Sequence, residues 1–183
     1  MKTMIISLTG FMGCGKSSIG KVLSKLLGCT LIDSDDWIEQ REGRKIKEIF
    51  ATDGEAHFRK LEVNAIKELV PVNADSQRKG SIDLILSLGG GTVTTPEAAE
   101  IIHGHTLCIY LKASTETLVD NLTEYPGDRP MLGAVESRET LRRRIEELMT
   151  KRAAIYESTA SMILDIDGKD YEQVAEEIKE RIK

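Results

Sequence analysis

Short apolar runs punctuate the chain at residues 4–8, 30–32, 82–88, 106–111 and 162–166. They are rich in Ile and Leu and do not alternate with polar residues, the pattern of strands covered on both faces in a parallel sheet. Helical periods lie between them. Ile19, Val22, Leu23, Leu26 and Leu27 form a stripe directly after a glycine-rich stretch, and Tyr171, Val174, Ala175, Ile178 and Ile182 form another near the end. Strands alternating with helices predict a doubly wound α/β domain. The order of strands within the sheet is not encoded in these periods. Two segments follow neither period. Residues 71–81 are polar and carry turn residues, which predicts a surface loop. Residues 124–135 contain two prolines, two glycines and one arginine, a loop long enough to act as a lid.

The 183 residues suffice for a single domain, 1–183, with a sizeable core. A formal net charge of −5 gives the whole molecule no pull toward nucleic acid or anionic lipid, so neither is expected as a partner. Any anion it binds must meet positive charge concentrated locally. The three cysteines, Cys14, Cys29 and Cys108, show no paired or metal-binding spacing and read as free thiols of a reducing compartment. No apolar run reaches the roughly 20 residues of a membrane helix. The run at residues 1–8 lacks the length and cleavage site of a signal peptide, so a cytoplasmic location is expected.

Gly10-Phe11-Met12-Gly13-Cys14-Gly15-Lys16-Ser17 fits G-x-x-x-x-G-K-[ST] in full, after a strand and opening an amphipathic helix. Glycines let consecutive backbone N–H groups turn inward on phosphate oxygens, and the helix N-terminus adds its free donors. Lys16 supplies a point charge to the outer phosphates, and Ser17 offers a hydroxyl to Mg²⁺. Cys14 reads as a small filler within the loop. The guanine-reading [NT]-K-x-D motif of GTPases does not occur, and the single-domain length argues against a motor or transporter ATPase.

The acceptor side is less direct. The second strand ends in Asp33-Ser34-Asp35-Asp36, where open α/β sheets build their sites. One carboxylate could hold a metal shell and another orient a hydroxyl, yet Asp36 with Glu39 three residues on also resembles a capping box. Residues 53–59 open a helix with Phe58, Leu61, Ala65 and Leu69 as its buried stripe. Arg59 falls off that stripe, four residues after Glu55, so an exposed ion pair is the default. Gly89-Gly90-Gly91 marks either a simple turn or a close approach to the backbone. In the long helical stretch, Leu141, Ile145, Leu148, Arg152 and Ile155 share a stripe and turn a guanidinium inward. Arg152 must then snorkel, meet an internal carboxylate, or grip a carboxylate on a substrate.

Taken together, GFMGCGKSS at 10–18, DSDDWIEQREGRKIKEIF at 33–50, DGEAHFR at 53–59, LGGGTVTTPE at 88–97, DRPML at 128–132 and KRAAIYE at 151–157 resemble the shikimate kinase family across nearly the whole chain. The resemblance implies a three-layer P-loop fold with a five-stranded parallel sheet, a helical substrate-binding region at about 33–62 and a mobile lid at about 124–135. It implies transfer of the terminal phosphate of ATP to a ring hydroxyl of shikimate, with Mg²⁺ as cofactor and a monomer as the working unit. Asp35 would be the general base, with Lys16 and Arg129 as the other catalytic groups. Gly13, Cys14, Gly15, Lys16, Ser17, Ser18 and Arg129 would bind ATP. Asp35, Arg59, Gly89, Gly90, Gly91 and Arg152 would bind shikimate, the two arginines clamping its carboxylate. Ser17 would hold the metal directly and Asp33 through water. The family often carries another basic residue shortly before the lid arginine, where it covers the adenine. Residues 117–128 here contain no Lys or Arg, which leaves the loop at 168–169 or Tyr171 to hold the base. A related kinase, such as one for gluconate, and a non-catalytic nucleotide-binding regulator are the alternatives.

Overall fold

A computed structural model describes residues 4–71, 82–127 and 129–183. The loop expected at 71–81 lies, apart from Pro71, outside the described residues. Five parallel strands form one sheet in the order β2-β3-β1-β4-β5: β1 (Ile5–Thr9), β2 (Thr30–Asp33), β3 (Leu84–Ser87), β4 (Leu107–Lys112) and β5 (Met162–Asp165). The central β1 is fully enclosed; Ile6 pairs with Ile85 on one side and Leu107 on the other. Every strand expected from the apolar runs is present. The outer β2 and β5 are the more exposed, as edge strands must be.

The chain order fixes the layers. Right-handed crossovers send α1 (Lys16–Leu27) to one face as the chain steps from β1 to β2, and α5 (Pro96–His105) to the other as it steps from β3 across to β4. α8 (Tyr171–Arg181) packs on α1, while α4 (Glu55–Leu69), α5 and α7 (Arg138–Thr159) make up the opposite layer, with α6 (Thr115–Glu124) against α7. β1 and β3 are neighbours whose following helices leave to opposite faces. A crevice therefore opens at their carboxyl ends, the place where doubly wound sheets bind ligands.

α2 (Ser34–Glu42) and α3 (Ile46–Asp53) extend beyond the sheet and share with α4 an apolar cluster of their own, built on Ile38, Ile49, Phe58 and Ala65. α4 consequently buries two sides. Phe58 and Ala65 face this satellite, and Val63 and Ile66 face the main core. The stripe read from the sequence captured the first side with Phe58, Leu61 and Ala65 and only Leu69 of the second, and left out Glu62, which is also buried. Two further stripes need correction. In α7 the buried positions run Leu141, Ile145, Arg152, Tyr156, Thr159, so the face continues through Tyr156, with Ile155 only partly covered. In α8, Val174, Ala175 and Ile178 are buried, but Tyr171, in the first turn, is 40% exposed.

Candidate active site

The loop after β1 has the cradle geometry its glycines predict. Gly13 and Gly15 sit at φ +83° and +91°, and a Cβ on Gly15 would lie 2.8 Å from the Tyr171 ring, so conformation and space both require glycine there. Lys16 is buried with its ammonium donating to the Gly10 and Phe11 carbonyls at 2.9 and 3.0 Å. Its charge is thus held over the loop by the loop's own backbone. Cys14 is buried beneath, its Sγ 3.8 Å from Lys16 Nζ, and faces neither cavity described below. Asn121 of α6 ties down the outer edge, donating to the Gly13 carbonyl at 2.8 Å.

At the end of β2, Asp33 takes two tasks at once. Its Oδ1 accepts from the Asp35 and Asp36 backbone N–H groups, so Asp33 caps α2 and the capping box expected at Asp36 does not form. Its Oδ2 accepts from the Ser17 hydroxyl at 2.5 Å and the Ser87 hydroxyl at 3.0 Å. Capping turns Asp35 inward. Its Oδ1 is shut off from solvent with no hydrogen-bond partner among the described residues, and a Cβ on Gly89 would sit 2.6 Å from that oxygen. Burial, then the charges of Asp33 and Glu62, push the Asp35 carboxyl from 3.8 up to about 7, against the pull of Lys16.

Three guanidinium groups converge on the same crevice. Arg59 does pair with Glu55, at 3.0 Å, but its stronger partner is Glu62, at 2.5 Å and 1% exposed. Burial lowers the Arg59 pKa, and the two carboxylates more than offset it. Glu62 also accepts from the Thr92 hydroxyl at 2.7 Å. A Cβ on Gly91 would meet the Arg59 guanidinium at 2.5 Å, so the triple glycine is a close approach and not merely a turn. Arg152, 4% exposed, donates to the Gly90 carbonyl at 3.4 Å and lies 5.9 Å from the Phe11 ring centroid. Tyr156, which stacks on Tyr110 with centroids 5.1 Å apart, donates its hydroxyl to the same carbonyl. Arg152 does not snorkel, and it pairs with no carboxylate among the described residues. Arg129 turns in from the segment after α6 with its Nε buried and without a hydrogen-bond partner among the described residues, and burial lowers its pKa despite Asp35 and Cys14 nearby.

Two cavities open off this crevice. One, of ≈ 420 Å³, is lined by Asp35, Arg59, Glu62, Gly91 and Arg152, with Phe50 and Phe58 as an apolar wall. The other, of ≈ 460 Å³, contains Gly13, Gly15, Lys16, Ser17, Ser18 and Asp33. Met12, Asp35, Gly89, Gly90 and Arg129 belong to both. Every site residue expected from the sequence lies at one cavity or the other, apart from Cys14. The residues missed are Glu62 and Tyr156. An i,i+3 spacing between Arg59 and Glu62 was the available signal for the first. His103, in the last turn of α5, contacts the Thr159 carbonyl of α7 at 3.2 Å, away from both cavities.

A family model described as shikimate kinase matches residues 12–183. A shikimate kinase from Thermus thermophilus is 40% identical over 177 residues, 97% of this chain and 89% of that protein. The solved structure of shikimate kinase from Acinetobacter baumannii in complex with shikimate is 28% identical with a TM-score of 0.85, covering 98% of this chain and 93% of that one. A gluconokinase from Sinorhizobium meliloti, 14% identical with a TM-score of 0.55, shares the fold alone.

Proposed function

The chain belongs to the shikimate kinase family, and from that premise we propose how its residues divide the work. The protein transfers the γ-phosphate of ATP to the 3-hydroxyl of shikimate, giving shikimate 3-phosphate and ADP. ATP occupies the cavity of the glycine loop, its phosphates met by the backbone of residues 13–18 and by Lys16. Shikimate occupies the other, its carboxylate held by Arg59 and Arg152 and its ring laid against Gly89–Gly91. The observation that carries this division is the position of Asp35 on the seam of both cavities, with a carboxyl at about 7. A carboxylate of that basicity can accept the hydroxyl proton as the oxygen attacks the phosphorus. Arg129, also on the seam, stabilises charge on the transferring phosphoryl. Alignment and electrostatics do most of the work in such a transfer.

The hydroxyl of Ser17 and carboxylate of Asp33, hard oxygen donors beside the phosphate cradle, suit Mg²⁺. Ser17 would bind it directly and Asp33 through water, and the ion would screen the charge of the β- and γ-phosphates. Residues 33–62 serve as the substrate-binding region, a reading supported by the separate apolar cluster there. Residues 124–135 serve as the lid, a largely exposed segment pinned by buried Leu132; Asp128 lies outside the described residues. No helix among the described residues is long and apolar enough to cross a membrane. The free thiols fit a reducing cytoplasm, and sedimentation of the purified protein tests the monomer.

A coupled ADP-release assay with shikimate, with gluconate and with no acceptor tests the function. ADP release above background appears with shikimate alone. Turnover no greater than the ATPase background with shikimate present removes the assignment.

A further inference from the structure

A third cavity, of ≈ 430 Å³, lies between the end of α6, the segment that follows it and the first turn of α7. Its volume falls within the range of about 300–1,000 Å³ usual for small-molecule sites. The buried Leu122, Leu132 and Leu141 form an apolar wall, and Val135, 43% exposed, lines it too. The cavity shares one lining residue with the two cavities of the crevice. That residue is Arg129, which lines all three. Its guanidinium lies beside Gly127, where a Cβ would sit 3.8 Å from Cζ.

Most of the polar lining is already engaged. The Thr123 hydroxyl donates to the Val119 carbonyl at 2.7 Å, the Ser137 hydroxyl accepts from the Thr140 N–H at 3.1 Å, and Arg138 pairs with Glu116 and Asp120. Two charges of opposite sign remain, Arg129 and Glu136. Neither forms an ion pair or a side-chain hydrogen bond, with the other or with any further described residue. A hydrocarbon ligand would leave both charges unmet, and a simple anion would leave Glu136. The ligand that complements this lining carries a carboxylate, an ammonium and an apolar body.

Resting on the reading of Arg129 as the group that meets the transferring phosphoryl, we propose that this cavity is a regulatory site for an α-amino acid with an apolar side chain. The carboxylate pairs with Arg129, the ammonium with Glu136, and the side chain lies on Leu122, Leu132 and Leu141. Arg129 cannot serve two anions in different cavities. A bound amino acid therefore holds it out of the crevice, and the loss falls on the transition state, where its charge is used.

The probe is L-phenylalanine, with 3-phenylpropanoate, 2-phenylethylamine and glycine as controls that each lack one of the three parts. Calorimetry is run with saturating shikimate, which excludes carboxylates from the acceptor cavity. L-phenylalanine should bind with a dissociation constant on the order of 1 mM, as ordinary efficiency per atom gives a ligand this small, and the controls at least about ten-fold more weakly. At about ten times that constant it should lower turnover at saturating ATP and shikimate by about five- to ten-fold, with shikimate KM unchanged. The bound fraction then lacks a group worth about 10²–10³-fold. Two variants outside the crevice should keep basal turnover. Thr123→Trp fills the cavity from α6 and should abolish binding. Glu136→Gln, at an exposed position, should weaken L-phenylalanine by about ten-fold and 3-phenylpropanoate not at all. No binding of L-phenylalanine to the wild type at about 10 mM, or equal binding to the wild type and both variants, overturns the site. Controls that bind as tightly overturn the amino acid as its ligand, and binding without a fall in turnover overturns the hold on Arg129. Calorimetry needs no turnover, so a protein that fails to phosphorylate shikimate would lose the kinase reading while the affinities still decide the site.

Discussion

Asp35→Asn separates the carboxyl's cost to the fold from its use in the reaction. In the folded protein the group is pushed from 3.8 up to about 7. Between those values the unfolded chain has released this proton and the folded chain has kept it. The native state thus binds more protons, and stability falls as pH rises through that window, with the full loss present above about 7. The shift of about 3 pH units corresponds to about 4 kcal/mol, and the portion between pH 5 and pH 8 to about 3 kcal/mol. Asparagine does not titrate. Its amide would bury a donor where Asp35 Oδ1 now has no partner, a cost of about 1–3 kcal/mol that is independent of pH.

The measurable quantity is therefore the change with pH in the gap between the two proteins. Urea unfolding at pH 5, 6, 7 and 8 should show the variant gaining about 3 kcal/mol on the wild type across that range, or roughly 5–10 °C in thermal melts of a chain this size. Turnover should fall by about 10²–10⁴-fold with ATP binding kept, the range for loss of a positioned general base. A stability gap that stays constant to within about 0.5 kcal/mol from pH 5 to pH 8 refutes the reasoning, because the carboxyl would then carry no raised pKa.

Arg152→Ala should raise the shikimate KM by about a hundred-fold while leaving that for ATP nearly intact, since it removes a buried partner of a substrate charge; an unchanged KM rejects the clamp. Glu62→Gln leaves Arg59 with only the more exposed Glu55, so urea unfolding should show a loss of about 1–3 kcal/mol together with a higher shikimate KM. If neither moves, Glu62 does not hold Arg59. Tyr156→Phe keeps the packing on Tyr110 and deletes the hydroxyl on Gly90. A loss of about 1–2 kcal/mol and a few-fold rise in shikimate KM, with ATP KM fixed, is the expected steady-state and unfolding result. A shift in stability alone would make Tyr156 purely structural.

The five strands were legible in the sequence as short Ile- and Leu-rich runs without polar alternation, because a parallel strand covered on both faces must be apolar on both. Their order was not, because hydrophobic period says which residues are buried and not which strand they pair with. The glycine loop was legible for a local reason: its geometry is set by consecutive residues. Where a group's role depends on a second layer, the reading failed. Glu62 went unnoticed because α4 serves two apolar clusters, and a single stripe cannot describe it. Tyr171 was assigned to the buried face of α8 because its spacing fits, but the first turn overhangs the glycine loop. Among the four residues 33–36, the capping residue depends on where β2 ends. It ends at Asp33, which therefore caps and releases Asp35 to the site.

A chain of net charge −5 that binds two anionic substrates must keep its cations ready without letting its own carboxylates neutralise them. Four cations around the crevice are restrained in four ways. Lys16 rests on two carbonyls, Arg152 on a carbonyl and beside an aromatic ring, Arg59 on two carboxylates, and Arg129 Nε on nothing. Carbonyls satisfy donors without cancelling charge, so Lys16 and Arg152 face their cavities still fully positive. Arg59 is different: with both carboxylates ionised its local charge is already overcompensated, and burial raises the Glu62 pKa. On the proposed assignment the grip on a substrate carboxylate would fall chiefly to Arg152, with Arg59 supplying directional N–H donors held in place by Glu62. Arg129, desolvated and least satisfied, has most to gain from a phosphoryl group arriving between the cavities. The same burial that makes its empty state costly makes its pairing with developing charge strong.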